Sequence, residues 1–526
     1  MPTGDFKRRW KAATPQVRND LLRARFRFDL MSFARYCWPD LFDLPWNPFH
    51  RQVLGEPDPP ARERRGRIIQ RAIAAPRGIA KTTTAKARLV HALVYGIDRV
   101  SMVLSASQPL ALQISDHIRS MFADTESPLA RLFGPFDIVG GVEAWRVRLP
   151  GGRLAGLFAQ SFGTQVRGTN LNGKRPTRIL IDDGERPDRV RNPEQRAIWH
   201  RFLTDDVQKA GPREGGLVIE WLGTVLHPDA VLARLLVNPA WDGQKWQAMV
   251  RWPFHQDLWE QCREIWADLT LGNVEARREA ALAFYAEHQA EMDEGAEVLD
   301  PVAEPLFRLY EYIWSDGLGS FLREKQNEPR DPSAAIFDSS KFARCRVERR
   351  GAEVTIHNAN GNQVRLADCR VFARWDPALG IPDGDFAAIA VLARDRERYT
   401  YVLAVLMRKV KPSLQLQSLW TLSEAWGFKR ASLESNGFQA MIDDEFRRQR
   451  AEREKAGKFY QLQVDLDAST ADKEERIAAL EPQITNRWLQ FADDIPSEVF
   501  GQFDSFPSGD HDDGPDAIEG AFVRLR

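Results

Sequence analysis

The residues best able to do chemistry open with Ala75-Pro76-Arg77-Gly78-Ile79-Ala80-Lys81-Thr82-Thr83. This stretch follows an apolar run from Ile68 to Ala74 and leads into Thr84 to Val94, which is rich in helix formers. Strand, tight loop and helix is the context of a phosphate-binding loop. Loop amides and the helix N-terminus point at an anion, and the helix dipole adds positive potential. Lys81 would reach the outer phosphates, and Thr82 would place its hydroxyl on Mg²⁺. The usual pattern has glycine where this chain has Ala75 and Ala80, while Gly78 inside the loop can supply a left-handed turn. The competing reading is a helix N-terminus with a surface lysine.

A second group lies in Arg178-Ile179-Leu180-Ile181-Asp182-Asp183-Gly184-Glu185, where an apolar strand ends abruptly in carboxylates. At the C-terminal edge of a parallel sheet these acids would stand beside the phosphate loop. Asp182 would hold Mg²⁺ through water, and either Asp183 or Glu185 would polarise an attacking water. Leu217 to Thr224 reads as a further strand, whose terminal Gly223-Thr224 could sense a γ-phosphate or simply end a core strand. About 30 residues before the loop, Trp46 and Gln52 could stack on adenine and read its edge, or form a turn before a core helix.

A third group comes late. Asp376 ends one strand-like run, Glu434 ends another, and Asp513 and Asp516 open a helix three residues apart. Acids at three successive element ends could hold two divalent metals about 4 Å apart for attack on a phosphodiester. Oxygen ligands favour Mg²⁺ or Mn²⁺.

The elements that must position these groups fall into a pattern. Residues 5 to 45 look helical. Strands and helices then alternate: Val100 to Ser107, a helix from Pro109 to Phe122, strands at Trp145 to Leu149 and Arg153 to Ala159. Alternation of this kind predicts an α/β domain with a mainly parallel sheet. Residues 255 to 295 read as helices, and a connector at Asn327-Glu328-Pro329-Arg330 places a boundary near residue 330. Beyond it, Cys369 to Asp376, Ala387 to Arg394 and Tyr399 to Leu406 read as strands, the last two as antiparallel neighbours. A helix from Leu414 to Trp426 and short strands at Arg430 to Glu434 and Trp488 to Phe491 follow. The predicted division is 1–60, a helical and adenine-binding segment; 61–255, the phosphate-loop core; 256–335, a helical lid or linker; and 336–526.

Composition narrows the classes. The chain has 526 residues, is 43% hydrophobic and 28% charged, and carries a net charge of −1. No global basic field advertises nucleic acid, so any such contact must come from local patches. Candidates are Arg62 to Arg71, Arg344 to Arg350 and Arg447 to Arg450, each equally readable as a solvated face. The four cysteines are scattered without ligand-like spacing, which predicts neither a zinc site nor disulfides. No run is long enough to cross a membrane, and a signal peptide is not expected.

Taken together and in order, these stretches resemble the large terminase subunit of tailed bacteriophages over roughly residues 40 to 526. The residues that carry the resemblance are Pro76-Arg77-Gly78 before Lys81, Arg167-Gly168 with Arg175-Pro176 before Ile181-Asp182-Asp183, and Gly223-Thr224. They continue with Glu324-Lys325-Gln326-Asn327, Asp376 with Asp385, Glu434, Arg476-Ile477, and His511-Asp512-Asp513 with Asp516. The resemblance implies a P-loop NTPase domain followed by an RNase H-like mixed-sheet nuclease domain. It implies ATP bound by Gln52, Arg77, Gly78, Ala80, Lys81, Thr82, Thr83, Asp182 and Thr224, with Arg77 neutralising transition-state charge. An acid directly after Asp182 points to Asp183 as the catalytic carboxylate, while Glu185 fits an Asp-Asp-x-Glu variant. Asp376, Glu434 and Asp513 would be nuclease metal ligands, supported by Asp516 and Asp385. It further implies double-stranded DNA, a small terminase subunit and a portal protein as partners, and a homo-oligomeric ring on the portal. Its setting would be the host cytoplasm during virion assembly, with no membrane and no retention in the mature virion. The rival class is a helicase or repair ATPase fused to an RNase H-like nuclease.

Overall fold

The computed structural model describes residues 14–525, apart from 165, 172, 332–333, 380, 382–384, 435–438, 459–460 and 468–471. The side chains of residues 434 and 439–443 also lie outside the described set. Two compact units share the chain: Met1–Trp252 with Gly295–Leu309 and Gly319–Arg330, and Pro253–Glu294 with Tyr310–Leu318 and Asp331–Arg526. Residues 1–60 therefore belong to the first unit, and the helical stretch 256–335 is divided between the two.

The first unit is built on an eight-stranded sheet. Its strands are β1 (Ile68–Ala74), β2 (Val100–Ser105), β3 (Asp137–Gly141), β4 (Ala144–Arg148), β5 (Leu154–Ser161), β6 (Arg178–Asp182), β7 (Leu217–Gly223) and β8 (Asp242–Lys245), in the spatial order β3-β4-β5-β2-β6-β7-β1-β8. From β5 to β8 the pairing is parallel, and β3 and β4 add an antiparallel edge. β2, β6 and β7 are buried along their whole length. That explains their unbroken apolar runs, since a parallel sheet is covered on both faces. One face carries the Lys81–Val94 and Gln108–Ala123 helices over a core containing Phe33, Phe49, Leu89, Ile114 and Phe122. The other buries Trp199, Phe202, Leu203 and Trp221. A short pair, β9 (Met249–Arg251) and β10 (Glu297–Val298), completes this unit.

Beneath this sheet lies a charge cluster that residue spacing did not reveal. Arg178, only 1% exposed, donates to Asp98 at 2.8 Å, to Asp58 at 2.5 Å and also to Glu220. Arg64, Arg71 and Arg88 complete the cluster: Arg64 reaches Asp98, and the other two reach Asp58. Burial alone would raise Asp58, but Arg178, Arg88 and Arg71 hold it well below the usual carboxylate range. A carboxylate held low contributes stability above its unfolded value and loses it as the pH falls. Arg178→Met is expected to cost about 3–5 kcal/mol, because it leaves buried carboxylates short of a cation. Chemical denaturation measures this, and a loss below about 1 kcal/mol would contradict a structural role for the cluster.

The second unit holds a nine-stranded mixed sheet. The strands are β11 (Arg344–Arg350), β12 (Glu353–His357), β13 (Gln363–Arg365), β14 (Arg370–Asp376), β15 (Ala387–Arg394), β16 (Thr400–Arg408), β17 (Arg430–Glu434), β18 (Gln463–Asp467) and β19 (Leu489–Ala492), in the order β13-β12-β11-β19-β16-β15-β14-β17-β18. β15 and β16 are antiparallel neighbours, as their residues predict, and β14 pairs antiparallel on the other side of β15. β17 and β18 continue parallel to β14. Arg344 to Arg350, readable only as a basic face, is strand β11 and pairs with β12 and β19. Along β14 the two-residue period separates partners. Trp375 Nε1 donates to Gln415 on the Pro412–Trp426 helix, whereas Arg374 packs against Gly520 on the Asp513–Leu525 helix. The two helices therefore cover opposite faces of the strand.

Candidate functional sites

In the first unit the parallel register brings four strand ends to one level. Ala74 pairs with Gly223, Asp182 with Leu222, and Ser105 with Asp182. The chain leaves β1 at Ala75, turns through Gly78 at φ 94° and Ala80 at φ 59°, and starts its helix at Lys81. A left-handed alanine is a strained conformation that surrounding structure must hold. The turn aims the Lys81 side chain back across the loop. Its Nζ donates to the Ala75 carbonyl at 3.1 Å and to Thr224 Oγ1 at 2.7 Å. Burial pulls the ammonium below its ordinary value, and the Asp183 and Asp182 carboxylates oppose that shift.

Thr82 Oγ1 donates to Asp182, at 2.9 Å to Oδ2 and 3.1 Å to Oδ1. Burial first, and then the neighbouring Asp183 charge, push Asp182 up to about 6. A hydroxyl and a crowded, desolvated carboxylate converging on one point suit a hard divalent cation, so these residues fit Mg²⁺. Thr83 is half-buried in the same helical turn.

Asp183 and Glu185 part company here. Asp183 adopts φ 43°, is exposed, and its amide donates to Leu222 O at 2.9 Å. A Cβ at position 223 would stand 3.4 Å from Asp183 Oδ1, so Gly223 leaves that carboxylate room. Glu185 instead is buried at 7% exposure. Its two oxygens accept the amides of Val231 at 2.8 Å and Leu232 at 3.1 Å, at the start of the Val231–Leu236 helix. Those bonds satisfy helix-terminal donors that would otherwise be buried unpaired. The Asp-Asp-x-Glu reading of Glu185 as the water-polarising acid is thereby corrected: its oxygens are already committed.

One other expectation shifts. Gln52 is exposed on the Pro48–Val53 helix. It is His50, two residues earlier, that meets the loop, with Nε2 at 3.0 Å from Ile79 O. Arg77 is exposed, with its guanidinium 3.5 Å from Glu324 and its amide donating to Glu324 O at 2.8 Å.

In the second unit Asp376 ends β14 beside the end of β17: Trp375 pairs with Leu433, so the register sets Asp376 level with Glu434. The Glu434 side chain lies outside the described residues. Asp513 and Asp516 are both buried in the first turn of the Asp513–Leu525 helix. Asp513 Oδ2 is buried without a hydrogen-bond partner among the described residues, 3.7 Å from His511 Nδ1. Burial raises Asp513, helped by the charges of Asp385 and Asp512 against Lys473. Asp516 differs, because Arg476 stands 2.9 Å away and Lys473 3.3 Å away. Asp516, expected as a metal ligand, is thus ion-paired to two cations in this structure. Lys473 also pairs with Asp512 at 2.7 Å. Burial would lower that ammonium, yet Asp512, Asp516 and Asp376 hold it above its ordinary value. Among the described residues no three His, Cys, Asp or Glu side chains stand together closely enough to hold a metal ion. The buried carboxylate oxygen of Asp513, facing the charges of other acids, is nevertheless the donor type that a hard cation takes.

No family model matches the sequence, and no curated protein matches it. Among solved structures the chain is similar to the large terminase of a thermophilic bacteriophage. That likeness has 9% identity and a TM-score of 0.44, and covers 92% of this chain and 98% of that one. The same phage protein in complex with ATP-gamma-S gives 10% identity, 91% and 99% coverage, and a TM-score of 0.44. The large terminase nuclease of a second thermophilic phage, with bound magnesium, matches 37% of this chain and 98% of its own length, at 15% identity and a TM-score of 0.25. The chemistry of this chain rests on its own residues.

Some of those residues carried no sequence signal beyond their order. Glu324 to Asn327, readable as a linker, are built into the first unit. Lys325 donates to the Arg77 carbonyl at 2.8 Å and pairs with Glu304. Gln326 exchanges bonds with the Met249 backbone at 2.9 and 3.0 Å. Asn327 accepts from the Val225 amide and donates to Trp246 O. These bonds tie the loop and the strand end after β7 to one segment. A run rich in Lys, Gln and Asn after a helix was the available signal, and only the fold gives it a purpose.

Proposed function

We propose that this chain is a DNA-packaging motor subunit of the large-terminase type, in which the first unit hydrolyses ATP to move duplex DNA and the second cuts it. The observation that carries the reading is the convergence of Lys81, Thr82, Asp182 and Thr224 at adjacent parallel strand ends. The loop amides and Lys81 bind the β- and γ-phosphates. Asp183, exposed beside them, orients the attacking water and accepts its proton. Thr224 gives up its bond to Lys81 when a γ-phosphate takes the ammonium, and so reports nucleotide state to β7. Arg77, exposed at the loop's rim, neutralises transition-state charge on the transferred γ-phosphoryl group. Thr82 and Asp182 would hold Mg²⁺, which supplies neutralisation of phosphate charge.

In the second unit Asp376, Glu434 and Asp513 would hold divalent metals, which supply Lewis acidity for phosphodiester hydrolysis. Lys473 and Arg476 keep Asp512 and Asp516 oriented around that site. A small terminase subunit, a portal and a ring of copies are the partners this reading entails, in an assembling virus particle.

The test is ATP turnover by the full-length chain with duplex DNA, alongside a forked duplex that reports strand separation. Duplex should stimulate hydrolysis, and the fork should stay paired. Separated strands would replace this reading with the helicase one, and hydrolysis indifferent to DNA would remove the motor.

A further inference from the structure

The first unit carries a groove on the edge of its sheet opposite the nucleotide. The phosphate loop, Asp182 and Thr224 sit where parallel strands end. The groove lies where the same strands begin: at Val100 of β2, at Leu154 and Ala155 of β5, at Thr177 before β6 and at Gly215 before β7. It has a volume of about 980 Å³.

Its lining is predominantly basic. Among the described residues, nine arginines and lysines line it against two acids, Asp98 and Glu214. Asp98 is fully buried and already neutralised by Arg64 and Arg178, which leaves Glu214 as the exposed acid of that lining. The cations come from separate segments, among them Arg62, Arg65, Arg99, Arg153, Arg175 and Arg213. Several are aimed by the fold. Arg153 donates to the Val94 carbonyl at 2.8 Å and Arg175 to the Gly211 carbonyl at 3.3 Å, contacts that orient a guanidinium without cancelling its charge. At Gly96, φ is 67°, and a Cβ there would crowd Arg153 Nη1, so a side chain at this position would displace the guanidinium. Gly152, Gly173 and Gly215 also line the groove and offer no side chain to obstruct a close approach.

We propose that this groove binds the sugar-phosphate backbone of duplex DNA. The inference rests on reading the first unit as a DNA motor, and it names the surface that unit uses. Arginine outnumbers lysine, which suits planar, bidentate recognition of phosphate oxygens. Tyr95 is the one aromatic residue among the described residues of the lining. Single strands are held by stacking bases on several aromatic rings, so a nearly ring-free basic groove fits a duplex, whose bases are already stacked. A net charge of −1 for the whole chain hides this patch, because the acids that balance it lie elsewhere.

The experiment compares the full-length wild type with the triple variant Arg65→Glu, Arg99→Glu, Arg213→Glu, and with the matching triple Gln variant as a milder control. Binding to a labelled duplex of about 30 base pairs, long enough to offer several phosphate contacts, is measured across salt concentrations, with hydrogen exchange followed at residues 95–99 and 212–216. Charge reversal should weaken duplex binding by roughly 10- to 100-fold near 0.1 M salt, and flatten the log–log salt slope by about 2–3. The Gln variant should fall between, and DNA-independent ATP turnover should stay at the wild-type level in both. Duplex should slow exchange in both segments. An affinity within about twofold of wild type for the Glu variant, or no protection, overturns the proposal. Equal protection by single-stranded DNA or by poly-glutamate of matched charge also overturns it, assigning the groove to another polyanion. A wild-type chain without ATP turnover would defeat the motor reading while leaving this binding result intact.

Discussion

Asp183→Asn is expected to lower ATP turnover by about 10²–10⁴-fold with little change in stability or nucleotide affinity. That is the usual worth of a positioned general base. The physical case is the contrast with its neighbour two residues on. Asp183 is exposed in a left-handed backbone conformation beside the strand ends, and Gly223 leaves space in front of its carboxylate. Glu185 is buried and accepts two backbone amides of the Val231–Leu236 helix. Glu185→Gln can serve only one of those amides well, because its NH₂ end donates. It should therefore cost about 1–3 kcal/mol of stability, while turnover per folded molecule stays within a few-fold. Steady-state ATPase assays and denaturation curves on both variants decide the matter. Should Glu185→Gln abolish turnover in a fully folded protein while Asp183→Asn does not, the assignment reverses.

The second large effect concerns DNA cutting. Asp376→Ala and Asp513→Ala should each reduce Mn²⁺-dependent plasmid cleavage by about 10³-fold or more, since a lost metal ligand removes several kcal/mol of transition-state stabilisation. ATP turnover should be untouched in both. Asp516→Asn should behave otherwise, with cleavage falling less than about tenfold, because its carboxylate is engaged by Arg476 and Lys473. The cost there is an altered ion-pair group around the helix start, and losing one partner of a partly buried pair destabilises. Gel assays with supercoiled plasmid would show the difference. Equal loss in all three variants would return Asp516 to the metal, and no loss in any would dismiss the nuclease site.

Much of this was legible in residue order. The strand–loop–helix at Ile68 to Val94 is written in local pattern, since an apolar run, a tight turn and helix formers need no distant partner. The carboxylates after Ile181 and the hydroxyl after Gly223 follow from the same logic, because strand ends of a parallel sheet meet at one edge. The antiparallel pair β15 and β16 was equally readable from its buried runs. Asp376, Glu434 and Asp513 were findable as acids at element ends.

What only the tertiary structure decided depends on partners far along the chain. Glu185 is assigned by amides 46 and 47 residues away. Asp516 is held by cations on the Lys473–Ala478 helix. His50 rather than Gln52 meets the loop because the short helix from Pro48 turns that side chain toward Ile79. Arg178 reads as one more residue before a strand, yet three buried acids from three segments surround it. The basic groove gathers single arginines whose spacing along the chain is uninformative. Sequence by itself set which residue types could do chemistry and which element ends would carry them. Folding selected among equal candidates, because hydrogen bonds and ion pairs between distant segments consume some carboxylates and leave others exposed.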